Sequence, residues 1–106
     1  MVPRAVVKCG TLDEVRANID RLDRQIVSLL AERGDYVLQA ASLKESIGDV
    51  SARQRVEAVI RNVRRIAVET GALPDVVEET YRTLIAAFIQ AERTEYQRLH
   101  SDKSSE

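Results

Sequence analysis

One cysteine, one histidine and no tryptophan in 106 residues leave this chain little of the usual catalytic or structural hardware. Cys9 stands alone, so an intramolecular disulfide is excluded, and with His100 as the single histidine no cluster has zinc-ligand spacing. Metal chemistry is not expected. Long hydrophobic runs are also missing. The stretch from Met1 to Gly10 sets Arg4 and Lys8 around a short apolar run, too interrupted for a signal peptide or a membrane span. No charge sign dominates, with 16 Lys plus Arg against 17 Asp plus Glu, so no bulk field argues for nucleic acid or an anionic membrane. Any anion site must be local, and the expected setting is a soluble, cytoplasmic protein with a small-molecule partner.

Glycine is scarce too, and the four that occur, at 10, 34, 48 and 71, punctuate a helical pattern. After Gly10, Thr11 and Glu14 form a T-x-x-E capping box. Apolar residues then recur at Leu12, Val15, Ile19, Leu22, Ile26, Leu29, Tyr36, Ala40, Leu43 and Ile47, in steps of three and four once position 33 is counted in the series. Gly34 costs about 1 kcal/mol relative to Ala in a helix interior and can kink the helix without ending it, so the helix is expected to run to about Ser46. Gly48 and Asp49 read as a break. Ser51 with Gln54 then predicts a second helix with Val56, Val59, Ile60, Val63 and Ile66 inward, closed by Gly71. Pro74 opens a third, with Val77, Tyr81, Leu84, Phe88 and Leu99 on one stripe. The polar end, Ser101 to Glu106, reads as a frayed tail.

The chain therefore reads as one all-α domain of three helices over residues 1–106, with a core of about 11–99 and flexible ends at 1–10 and 101–106. A helix from Leu12 to Ser46 would be roughly 50 Å long at 1.5 Å per residue, whereas a compact globule of this size has a radius of gyration of about 13 Å. An elongated protomer leaves a long apolar seam wet unless a second copy covers it, so a symmetric homodimer is expected.

Arg33 occupies a core position of the first helix, where a guanidinium must snorkel to water or meet an anion. Lys44, eleven residues on, returns to nearly the same face, with Val37 and Ala40 between, about 16 Å away along the axis. The two could close around a small anion or stand as separate solvated cations. Arg16 lies about 25 Å before Arg33 on the same helix; it cannot reach the same small ligand from its own protomer, but in an antiparallel dimer it could. Arg55, in the first turn of the second helix, could fold over the same groove or be an ordinary surface arginine. Glu92 falls on the apolar stripe one turn past Phe88, where a carboxylate must pair, protonate or reach water; a structural ion pair and a catalytic group are both open.

The run Val15-Arg16-Ala17-Asn18-Ile19-Asp20-Arg21-Leu22-Asp23, continuing through Ile26, Val27, Leu29 and Leu30 to Arg33 and then Lys44, closely resembles the first helix of AroQ-class chorismate mutases. Its spacing is R-x2-I-D-x2-D-x9-R-x10-K, and the resemblance extends over about residues 11–99. It implies an intertwined all-helical homodimer with two active sites, each taking an N-terminal arginine from the partner chain. By this resemblance Arg16 of the other subunit and Arg33 would hold the substrate's carboxylates, with Arg55 nearby. Lys44 and Glu92 would contact the ether oxygen, and Val56 and Phe88 would count among the substrate-contacting positions. The implied reaction is the Claisen rearrangement of chorismate to prephenate, which needs no nucleophile, metal or cofactor. Glu92 can donate to the ether oxygen only when protonated, so activity is expected to fall as pH rises and to be partly rescued by Glu92→Gln.

Two positions depart from that pattern. Val56 stands where typical chorismate mutases carry a glutamate that contacts the ring hydroxyl, and Ala52 replaces an acidic residue often found there. The same pattern, with Asp35-Tyr36-Val37 and Ala40-Ala41-Ser42, resembles the isochorismate-pyruvate lyases of salicylate and siderophore synthesis, which share this fold but typically carry glutamine where Glu92 stands. Chorismate mutase is the first reading and isochorismate-pyruvate lyase the second, with a mutase for the amino analogue of chorismate behind them. A non-enzymatic helical dimerisation module is the competing class.

Overall fold

The computed structural model describes residues 6–43 and 49–104. Three α-helices follow in order, α1 (Leu12–Leu43), α2 (Asp49–Thr70) and α3 (Pro74–Ser104), and no strand occurs among the described residues. The all-α class read from periodicity is the observed one. At the start of α1 the Glu14 N–H donates to Thr11 Oγ1 at 3.1 Å, while the Gly10 N–H donates to Glu14 Oε2 at 2.8 Å. The reciprocal arm of the cap thus reaches one residue further back than in the standard capping box. The helix passes through Gly34 without ending, and its expected end near Ser46 lies outside the described residues.

The second helix begins earlier than the Ser51–Gln54 signal predicts. Asp49, expected to belong to the break, is its first residue. Aspartate is itself a favoured residue at helix starts, because its charge complements the positive end of the helix dipole. Gly71 does close α2: it adopts φ 77°, and the Ala72 N–H donates back to the Ala67 carbonyl at 2.8 Å. That left-handed residue and six-to-one bond make a Schellman ending. Pro74 then starts α3, whose first turn is closed by the Val77 N–H donating to the Leu73 carbonyl at 3.0 Å. The helix runs on to Ser104, four residues into the stretch expected to fray, because no glycine or proline after Pro74 interrupts it.

The core of the protomer lies between α2 and α3. Ile60 (3% exposed), Val63 and Ala67 (2% exposed) are buried on α2, facing half-buried Val77, Tyr81, Leu84 and Phe88 of α3. Leu99, expected on the same stripe, lies outside the residues whose side chains are described. One inward assignment is corrected: Ile66 is 40% exposed, and Ala67 takes the buried position instead. Positions 56, 60, 63 and 67 follow the 3.6-residue period, from which 66 is rotated away.

Ion pairs fasten the same hairpin from outside. The Arg82 guanidinium donates to both Glu57 carboxylate oxygens at 3.1 Å and to Glu78 at 2.8 Å, while Arg64 donates to Asp75 at 3.0 Å and to Glu78 at 2.9 Å. Glu78 is shared by the two arginines. These contacts pin the register of the antiparallel pair, with Glu57 opposite Arg82 and Arg64 opposite the first turn of α3.

By contrast α1 has no buried residue and packs more sparsely, on α3 alone among the described residues. Its seam of Leu12, Val15, Ile19, Leu22, Ile26 and Leu29 is open to water, Leu22 at 45% and Ile19 at 50% exposure. The protomer is elongated as its first helix demands, with a radius of gyration of 18.0 Å and extents of 61 × 30 × 19 Å. No helix among the described residues is long and apolar enough to cross a membrane.

Candidate functional site

The crossing of α1 over α3 brings together the residues with the most unusual environments. Gly34 makes the crossing possible: a Cβ built there would lie 2.8 Å from Phe88 Cε1 and 3.3 Å from Cζ, well inside van der Waals contact. Next to it, the half-buried Arg33 lies over two aromatic rings, its guanidinium carbon 5.8 Å from the Tyr81 centroid and 5.8 Å from the Phe88 centroid. Both distances are within the roughly 6 Å reach of a cation–π contact. Among the described residues Arg33 has no carboxylate partner, in contrast to Arg64, Arg65, Arg82 and Arg98, each of which is ion-paired.

Glu92 is half-buried one turn beyond Phe88 on α3. The structural ion pair weighed for it is not formed among the described residues. Arg55 is exposed and Val56 half-buried in α2, and the Glu57–Arg82 pair sets them about level with the Leu84 turn of α3. Phe88 is part of the crossing itself. Arg16 is exposed near the other end of α1, about 25 Å along the axis from Arg33. The protomer does not bring these two together. Lys44 lies outside the described residues.

The electrostatics differ between the two sides of α3. On the hairpin side, hydrogen bonding to Arg82 is the main cause holding the Glu57 and Glu78 carboxyls below the usual carboxylate range, with Arg64 adding to it at Glu78. Their partners Arg82 and Arg64 are raised further, by Glu57 and Asp75 first. Charge is neutralised there. At the crossing the Arg33 charge is left unneutralised by any described residue, which makes it the more capable anion-binding group. Shallow hollows lined by Asp75, Glu78, Glu79, Arg82 and Thr83, and by Arg24, Gln25, Ser28 and Leu29, lie away from it. No group of His, Cys, Asp and Glu among the described residues is arranged to hold a metal ion.

Two features of this site escape a reading by periodicity. Tyr81 reads as an ordinary core residue and Gly34 as a helix weakness, whereas the fold makes one a seat for Arg33 and the other the gap that admits Phe88. The seven-residue spacing of Tyr81 and Phe88 on a single stripe was the available signal.

Residues 15–93 match the model of the family described as chorismate mutase type II. The chain is also similar to the isochorismate pyruvate lyase of Pseudomonas aeruginosa, with 37% identity over 90 residues that span 85% of this chain and 88% of that protein. The matched segment takes in Arg16, Arg33, the α2–α3 hairpin and Glu92, and the chain belongs to the chorismate mutase type II family.

Proposed function

We propose that this chain is a cofactor-independent enzyme for a chorismate-type dicarboxylate, and that its reaction is the rearrangement of chorismate to prephenate. The observation that carries the reading is Arg33: a half-buried guanidinium at the α1–α3 crossing without a carboxylate partner among the described residues. A cation held this way is suited to a substrate carboxylate. Arg33 binds one carboxylate and Arg16 of a second copy the other, with Arg55 nearby and Phe88 and Val56 against the ring. Lys44 and Glu92 donate to the ether oxygen. The ether C–O bond breaks as a C–C bond forms, with no net proton transfer, so selection of the reactive conformer and stabilisation of charge on the oxygen supply the catalysis.

A homodimer is part of this proposal. The protomer exposes 9199 Å², against about 5,900 Å² for a compact monomer of its mass. The excess, about 3,300 Å², is more than the roughly 1,000 to 2,500 Å² per chain that obligate homodimers bury. Most of the exposed large apolar side chains lie along α1. Covering that seam with a second α1 in antiparallel sense carries Arg16 toward the partner's Arg33.

A second reading, isochorismate-pyruvate lyase, is favoured by the similarity to the Pseudomonas lyase and by Val56, which offers no carboxylate to a ring hydroxyl. Here the same ether bond breaks, but a ring hydrogen moves to the departing enolpyruvyl group, giving salicylate and pyruvate. Parallel assays with chorismate and isochorismate, with Lys44→Ala as the blank, separate the two. Lys44-dependent prephenate formation supports the mutase. Dominant pyruvate release from isochorismate replaces it with the lyase, and silence on both overturns the substrate class.

A further inference from the structure

We propose that Tyr81 is a positioning residue: with Phe88 it seats the Arg33 guanidinium on aromatic faces, keeping that cation in place without neutralising it. As a statement about a substrate site, this rests on the function proposed above. As a statement about Arg33, it stands on the geometry.

A guanidinium offers two kinds of surface. Its planar faces stack on rings, and its five N–H donors point outward in the plane. If a carboxylate held Arg33, the bond would consume those donors and cancel the charge, and an incoming anion would have to displace it. Ring faces leave both available. Tyr81 and Phe88 stand seven residues apart on one stripe of α3, about 10 Å along the axis, and Arg33 lies at the same 5.8 Å from each centroid, so it spans the interval between them. The seat depends on α1 approaching closely, which Gly34 permits by leaving Phe88 room against the backbone. Elsewhere Arg64 and Arg82, on the hairpin, are each held by two carboxylates. The same α3 helix thus carries ion pairs on one flank and an aromatic seat on the other.

The first measurement needs no turnover. In the NMR spectrum of the unliganded dimer or protomer, the Arg33 Hδ and Hε resonances, assigned by their loss in Arg33→Lys, should be displaced upfield by the ring currents. Tyr81→Phe should preserve that displacement and Tyr81→Leu should reduce it, leaving the share due to the Phe88 ring. Kinetics follow on whichever substrate turns over. Tyr81→Leu should raise KM about five- to thirtyfold, with kcat much less affected, and Tyr81→Phe should restore the wild-type value. In an Arg33→Met background Tyr81→Leu should have little further effect. Unshifted Arg33 resonances in the wild type, or an equal Tyr81→Leu penalty with and without Arg33, would overturn the seat. Shifted resonances in a protein silent on chorismate and isochorismate would leave the seat intact and overturn only the proposed substrate.

Discussion

Gly34 and Phe88 meet so closely that a single added methyl would collide with the ring, its carbon 2.8 Å from Phe88 Cε1. In an isolated helix Gly34→Ala would stabilise by up to about 1 kcal/mol. In this protein it should instead push the ring away and loosen the seat of Arg33. Substrate affinity is expected to fall severalfold while helix content by circular dichroism is unchanged or rises. Phe88→Leu, which removes the ring edge, should make Gly34→Ala nearly neutral in that background. Equal losses in both backgrounds would count against a steric origin.

The separation of Arg16 and Arg33 along α1 leads to a complementation test. Arg16→Met and Arg33→Met should each retain only residual activity alone. Mixed after co-refolding in equal amounts, they should recover about a quarter of wild-type activity, since half of the dimers are mixed and each of those has one intact site. If both arginines served one site within the same protomer, mixing would restore nothing.

Glu92 can donate to an ether oxygen only as the carboxylic acid, whereas an amide donates at any pH. Wild-type kcat/KM should therefore decline with rising pH, and Glu92→Gln should flatten the profile and exceed the wild type at its alkaline end. A flat wild-type profile would remove Glu92 from that role.

The Asp75–Arg64–Glu78–Arg82–Glu57 chain of ion pairs carries a prediction for stability. The folded state lowers the carboxyls of Glu57 and Glu78, through Arg82 first. A lowered folded-state value means stabilisation that is present above the unfolded carboxylate range, near pH 4.5, and lost as pH falls through the folded values. Melting temperature should drop on acidification below about pH 4.5, and less steeply in Arg82→Met. Because the pairs are solvent-exposed, high salt should shrink the difference between the two proteins. An unchanged acid profile in Arg82→Met would show that the network contributes no pH-dependent stability.

What was legible in the sequence was local. Thr11 with Glu14, Gly71 and Pro74 act through hydrogen bonds that span three to five residues, so helix starts and stops can be read without knowing any neighbour. The length of α1, its apolar seam and the distance from Arg16 to Arg33 follow from helical rise alone, and the motif around Arg16 carried the family. The misreadings also had local causes: Asp49 is chemically suited both to a break and to a cap, and the stripe on α2 turns by one residue between Ile66 and Ala67.

Tertiary structure decided which side chains meet. Whether Arg33 would snorkel, pair or stack depended on α3 presenting Tyr81 and Phe88 at the crossing, and on Gly34 letting α1 come close enough. The register of the α2–α3 hairpin, set by Glu57 against Arg82 and Arg64 against Asp75 and Glu78, likewise joins residues 11 to 25 positions apart. A helix's own period determines which residues share its face. The face it meets, and the charge left unpaired there, are determined by how the helices cross.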